Sequence, residues 1–171
     1  MTSLQEDSRQ QAGKHDTKHE WWASNGVPIV RCKLPFGDYA WCPDRAVDTK
    51  SSIYELAMDI DQQHDRFKRE CIGARDAGCS LTVLVENEDG VRRLEDLLGW
   101  EESDGHFAMR KRKSGNARAR KISGERLAKA CRTMEMRYGV GFAFCAPDEA
   151  AMAVVAILKG EWQWEKKGSQ G

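Results

Sequence analysis

The chain has 171 residues, 40% of them hydrophobic, with 27 Lys and Arg against 27 Asp and Glu. That length can bury one sizeable core, and a formal charge of zero excludes a global basic field, so any attraction to nucleic acid must come from local segregation of charge. No apolar run is long enough for a signal peptide or a membrane span, which leads us to expect an intracellular, cytoplasmic protein with no membrane partner.

In chain order, a weak first strand is expected around Leu4, then a short helix within residues 14–25 stopped by Asn25-Gly26. His15 and His19 are four apart but have no third ligand nearby and are expected to be exposed; of Trp21 and Trp22, one should enter the core. Two strands follow, broken near Pro35 to Gly37, the second running through Trp41. Ser51 or Ser52 caps a helix whose apolar positions Ile53, Leu56, Ala57 and Ile60 recur at helical spacing. A second helix over residues 61–77 presents Phe67, Cys71 and Ala74 inward. Residues 81–85 are apolar and β-branched, as a buried central strand should be. Asp89-Gly90 then opens a helix through Leu98.

Residues 101–122 turn strongly basic, with Arg110, Lys111, Arg112, Lys113, Arg118, Arg120 and Lys121, and are expected to form a mobile loop able to neutralise phosphates. A solvated linker has about equal claim from charge alone. Ser123 caps a helix over 124–138, residues 140–145 read as a strand, and Pro147 stands at the start of a last helix ending before Gly160. A disordered tail is expected over 161–171, beyond a single domain spanning 1–160. The six cysteines show no Cys-x-x-Cys pair and sit mostly in apolar settings, so reduced core thiols are expected. Helix and strand alternate, which gives an α/β three-layer domain with a mixed sheet.

The chemistry concentrates in Gly37-Asp38-Tyr39 and Val47-Asp48-Thr49-Lys50. On an extended strand Asp48 and Lys50 project to one side and Thr49 to the other, while Asp38 approaches from a neighbouring strand. Two carboxylates and an ammonium at one sheet edge suit metal-assisted phosphodiester hydrolysis: the acids hold a hard divalent cation, and the lysine steadies a water or the developing charge. By itself the spacing is a weak signal and is better read as a turn aspartate and a solvated strand face with a weak cross-strand pair.

The run from Val27 to Tyr39, with Leu34-Pro35-Phe36-Gly37-Asp38-Tyr39, resembles the signature of the XPF-type nuclease domain, a branch of the PD-(D/E)xK superfamily with the restriction-endonuclease-like fold. Glu6-Asp7-Ser8-Arg9-Gln10 resembles that family's Asp-x-Arg-Glu motif, Val47-Asp48-Thr49-Lys50 stands where it carries Glu-Arg-Lys, and Glu55-Leu56 resembles the start of the helix that follows. Arg66-Phe67, Glu70 and Leu81 to Glu86 continue the order. The resemblance implies a Mg²⁺- or Mn²⁺-dependent DNA endonuclease in repair, recombination or phage DNA processing; selectivity for branched or flapped DNA does not simply carry over, because no helix-hairpin-helix repeat is visible after Glu86. It implies metal ligation by Asp38, Asp48 and the carbonyl of Thr49, catalysis by Lys50, and Asp7 and Arg9 at the edge of the site. Arg66 and Lys68 would join the basic residues of 101–122 against DNA, although Arg66 could equally pair with Glu70. A stand-alone domain of this kind resembles bacterial and prophage proteins, and a homodimer is compatible with it. The departures are Gln10 for an acid, Asp48 for Glu, Thr49 for Arg and Tyr54 for Asp. Gln10 is what favours the alternative, a catalytically decayed DNA-binding or assembly protein.

Overall fold

The computed structural model describes residues 3–10, 16–41, 44–62 and 64–163. His15, Cys42 and the tail from 164 onward lie outside them. The strands are β1 (Leu4–Asp7), β2 (Ile29–Cys32), β3 (Tyr39–Trp41), β4 (Arg45–Lys50), β5 (Ser80–Glu86) and β6 (Gly141–Cys145), and the helices are α1 (Asp16–Ser24), α2 (Ile53–Asp61), α3 (His64–Asp76), α4 (Asp104–Ser114), α5 (Gly124–Tyr138) and α6 (Ala150–Lys159). The sheet order is β2-β1-β3-β4-β5-β6. β1 pairs antiparallel with β3 and β3 with β4, whereas β1–β2, β4–β5 and β5–β6 are parallel, so the sheet is mixed as expected.

Each face of the sheet carries its own apolar layer. Leu81, Val83 and Val85 of β5 pack with Ile53, Leu56, Phe67, Cys71, Leu127 and Cys131 from α2, α3 and α5. Leu84, Val47 and Tyr39 pack with Trp22 of α1 and with Val154 and Leu158 of α6. The alternation along β5 thus feeds two cores, which is what a central strand buried on both faces requires. Trp22 is the core member of its pair: its indole N–H donates to the Ala151 carbonyl at 3.0 Å and its ring meets Tyr39 edge-on. His19 is not simply exposed, because its Nε2 lies 2.8 Å from Oε1 of the buried Glu6.

Two expected elements differ. Residues 91–98 do not form an α-helix; a 3-10 turn occupies Leu94–Gly99. Asn87 ties down the preceding residues by donating to the Val91 carbonyl and accepting from the Val91 amide, and Asp96 accepts from the amides of Arg92 and Arg93, so the helical turn cannot begin before Leu94. Within 101–122, the segment Asp104–Ser114 is helical instead of a loop. Ser103 accepts the His106 amide at its start, and Gly115 ends it in the left-handed conformation. One ion pair offsets part of the helix's charge. Arg110 reaches Oε1 and Oε2 of the fully buried Glu102 at 2.8 and 2.7 Å, and also donates to the Arg120 carbonyl at 2.7 Å.

Of the cysteines expected in the core, Cys42 lies outside the described residues and Cys32 and Cys79 are only partly buried. Cys32, Cys71, Cys79, Cys131 and Cys145 are free thiols, the last two and Cys71 buried. Burial pushes the Cys71 and Cys145 thiols up to about 12, so neither is a thiolate at neutral pH.

Candidate active site

Gly37 makes the local geometry feasible. Its φ of +67° lies in the left-handed region, and a Cβ there would come within 2.7 Å of the Val47 carbonyl oxygen, so only glycine lets the chain approach β4 this closely. The Asp38 amide then donates to Val47 O at 2.8 Å, and the Gly37 amide donates to Oε1 of Glu70 at 3.0 Å. Glu70, projecting from α3, therefore braces the turn that delivers Asp38.

Asp38 Oδ2 accepts from the Thr49 amide at 2.8 Å and from the Thr49 hydroxyl at 2.5 Å. The expectation that Thr49 turns away from the site holds for strand alternation but misses this contact. Because N–H and C=O of one strand residue face the same edge, the Thr49 carbonyl shares the edge where Asp38 sits. Asp48 and Lys50 do project together: Lys50 Nζ lies 2.8 Å from Asp48 Oδ2.

A second carboxylate holds the lysine. Asp59 Oδ2, from α2, lies 2.5 Å from Lys50 Nζ, and all three residues are buried. Asp59 was not singled out from sequence, yet a signal existed. It is three residues after Leu56, on the apolar stripe of α2, where a buried acid needs a partner. Arg66, largely exposed, stands 3.8 Å from Asp59 and not against Glu70.

Burial, followed by the negative charges of Asp38 and Glu70, raises the Asp48 carboxyl from its ordinary range to about 7, with Lys50 opposing the shift. For Lys50 burial alone would favour the neutral amine, but Asp48 and Asp59 outweigh it and the ammonium is held well above its usual pKa. Lys50 is thus a permanent cation. Although Asp48 Oδ2 is close to that cation, it has no aligned hydrogen-bond donor and is shielded from solvent. A buried acid whose close cation is Lys50, crowded by the acids Asp38 and Glu70, is where a divalent cation would relieve charge. The donor set is small: among the described residues no three His, Cys, Asp or Glu side chains form a ready metal cluster. Mg²⁺ is commonly bound by one or two carboxylates together with water and substrate phosphate, so Asp38, Asp48 and the Thr49 carbonyl fit that chemistry.

These groups line a cavity of about 420 Å³ that also includes Asp7, Arg9, Gln10, Glu55, Phe67 and Arg66. Asp7 is buried and holds Arg9, whose Nε donates to Oδ2 at 2.7 Å and whose terminal nitrogen donates to Leu34 O at 2.8 Å. Glu55 accepts from the amide and hydroxyl of Ser51 at 2.7 and 2.6 Å while Ser52 caps α2.

The basic residues expected at DNA divide. Arg66 faces the cavity. Lys68 does not, and its ammonium sits 6.0 Å from the Tyr138 ring centroid. Arg110 is a correction: its guanidinium is spent on Glu102 inside the fold. Lys121 is held by Asp104 at 2.7 Å and Glu101 at 3.4 Å. Lys111, Arg112, Lys113, Arg118 and Arg120 are exposed.

The same fold occurs in solved structures, among them two of XPF. XPF from Aeropyrum pernix matches with a TM-score of 0.60 and 15% identity over 91% of this chain and 64% of that chain. XPF from Aeropyrum pernix in complex with DNA matches with a TM-score of 0.61 and 15% identity over 93% of this chain and 64% of that one. The chain spans less than two thirds of the length of either, and at this identity the likeness is one of fold. No protein-family model and no curated protein sequence matches the chain. The six-stranded mixed sheet with helices on both faces is thus an XPF-like α/β fold. Among the described residues no helix is long and apolar enough to cross a membrane.

Proposed function

We propose that the chain is a metal-dependent DNA endonuclease centred on Asp38, Asp48 and Lys50. The observation that carries this reading is the buried Asp48–Lys50 pair facing an acid-rich cavity on an XPF-like sheet. Asp38, Asp48 and the Thr49 carbonyl would hold Mg²⁺ or Mn²⁺, which when bound supplies Lewis-acid polarisation of the phosphodiester and a more acidic water. Lys50, fixed as a cation, donates to a phosphate oxygen as negative charge develops and is unsuited to act as a base. Asp59 and Asp48 hold that ammonium in one place, and Glu70 holds the Asp38 turn, so the centre is assembled before substrate arrives. Asp7 orients Arg9 toward a backbone phosphate at the cavity rim, and Arg66 offers a second cation there.

DNA as substrate is supported by the fold's occurrence in a structure complexed with DNA. Relatives of this kind usually append a helix-hairpin-helix domain that binds branched DNA, and no such repeat follows Glu86 in this sequence, so a preference for branched or flapped DNA is left to experiment. The test is incubation of the purified protein with linear, flap, fork and four-way-junction DNA in Mg²⁺, Mn²⁺ or EDTA. Cleavage should require the divalent metal and disappear in Asp38→Asn and Lys50→Ala. Cleavage undiminished in both variants would remove the proposed centre. A second reading, DNA binding by a decayed site, is favoured by Gln10, an uncharged side chain on the cavity wall. It predicts binding to the same DNAs with no cleavage in either metal.

A further inference from the structure

A second concavity lies across α2 from the candidate centre. Glu55 lines the catalytic cavity, while its neighbour Tyr54 and Met58, one turn on, line a cleft of about 1010 Å³ completed by α4 and the segment after it. That volume is at the upper end of small-molecule sites and suits an extended ligand. Its cations fall into two groups. Arg110 is bound to Glu102, and Arg126 to Asp61 at 2.7 Å. Lys113, Arg118 and Arg120 line the cleft, are exposed, and have no acid partner among the described residues. In a chain of zero net charge these three are a local surplus with no internal use.

The segment carrying two of them is held in shape. Arg110 donates to the Arg120 carbonyl, and Asn116 Oδ1 accepts the Arg118 amide at 3.0 Å. The cleft is also lined by apolar and aromatic side chains: Tyr54 and Met58 of α2, and the half-exposed Met109, one turn before Lys113 on α4. The Tyr54 ring is backed by His106, with centroids 3.8 Å apart and planes 14° from parallel, which fixes it as a platform.

We propose that this cleft binds a single-stranded stretch of DNA, with bases against Tyr54 and the two methionines and phosphates against Lys113, Arg118 and Arg120. The inference rests on the reading of the chain as a protein that acts on DNA, and it names the form of DNA taken by this surface. An aromatic platform beside unpartnered cations serves a strand whose base faces are free; in a duplex those faces are stacked inside the helix. The cleft adjoins the start of α2, so a strand leaving the centre past Glu55 would enter it beside Tyr54.

The test is fluorescence anisotropy on the full chain in EDTA, where cleavage is suppressed, with labelled oligo(dT) and a duplex of equal length. Replacing Lys113, Arg118 and Arg120 together with Gln should lower oligo(dT) affinity at least tenfold at low salt and reduce the slope of log K against log salt by about 2, at roughly 0.7 for each single-strand contact. Tyr54→Leu should lose about fivefold to a hundredfold with the slope unchanged, since stacking is worth about 1–3 kcal/mol per base, and Tyr54→Phe should retain binding. Duplex affinity should fall less than the oligo(dT) affinity in each variant. The triple variant changes exposed side chains only, so it remains informative if Tyr54→Leu fails to fold by circular dichroism. Undetectable oligo(dT) binding by the native protein, unchanged affinity in the triple variant, or equal losses on duplex would overturn the proposal. Selective losses in a protein that cuts no DNA in Mg²⁺ would uphold the cleft and remove the nuclease reading. Cleavage with no selective loss would do the reverse.

Discussion

Asp59 Oδ2 and Lys50 Nζ lie 2.5 Å apart, so the lysine of the candidate centre is gripped from α2 as well as by Asp48 on its own strand. A lone buried ammonium would be neutralised or expelled; two carboxylates keep it charged and aimed. Arg66, 3.8 Å from Asp59, is too far for a direct hydrogen bond to replace that contact.

Asp59→Ala should therefore destabilise the protein by about 1.5–3 kcal/mol, the range for a hydrogen bond to a charged group. Asp59→Asn, which keeps an acceptor, should lose less. Urea unfolding at pH 7 measures both, with cleavage followed in parallel. Equal stability of Asp59→Ala and the native protein would mean that Asp48 alone secures Lys50.

Stability should also carry the signature of Asp48. Its carboxyl titrates near 3.8 when unfolded and at about 7 in the fold. Between those values the folded protein binds a proton that the unfolded chain has lost, so this group makes stability fall as pH rises from about 4 to 7 and then level off. Lys50 acts in the same direction but outside the window: its raised pKa contributes stability that is fully present below the unfolded value of 10.5 and is lost only at more alkaline pH. Asp48→Asn should flatten the decline across pH 5–7 in urea titrations. Mg²⁺ added at pH 6 should release more protons than at pH 8, measured by calorimetry in two buffers. Identical slopes in variant and native protein would assign the decline to another group.

What the sequence conveyed about fold and site was the part written in local pattern. The apolar run of β5, the Ser52 and Ser123 caps and the spacing of Ile53, Leu56 and Ala57 each depend on near neighbours, and the strand alternation that sets Asp48 beside Lys50 needs no tertiary knowledge. The misses depend on distant partners. A run such as Met109 to Lys113 looks unfoldable until Glu102 is seen to neutralise Arg110 from eight residues away. The helix α1 is expected, but the burial of its Lys18, paired with Glu86 at 2.6 Å, carries no local signal. Asp59 and Glu70 reach the site from helices whose docking angles no short-range signal specifies.

Gly37 is the position where one added carbon should separate the site from the fold. Gly37→Ala must relieve both a positive φ and a 2.7 Å clash with Val47 O, backbone that is fixed within the sheet. The expected loss is about 1–3 kcal/mol, and relief by moving the turn would withdraw Asp38 from Thr49 and the Glu70 contact from Gly37. Metal-dependent cleavage should fall at least tenfold at temperatures where circular dichroism reports an intact fold. Normal cleavage by the folded variant would mean that the turn's position is unimportant to the chemistry.

Arg110 supplies the sharpest contrast between a structural and a DNA-facing cation. Its partner Glu102 is fully buried, and the Arg110 hydrogen bond, opposed by burial, leaves that carboxyl below its ordinary pKa. Arg110→Ala would leave the carboxylate buried without its cation, a loss of about 3–5 kcal/mol. Arg110→Lys should recover only part of it, since an ammonium cannot donate to both oxygens in the planar, two-bond manner of the guanidinium. Arg112→Ala, on the exposed side of the same helix, should leave unfolding within about 0.5 kcal/mol of native, as surface substitutions usually do. Urea unfolding of the three variants side by side checks the ordering. A negligible effect of Arg110→Ala would return that residue to the set of cations available for phosphate.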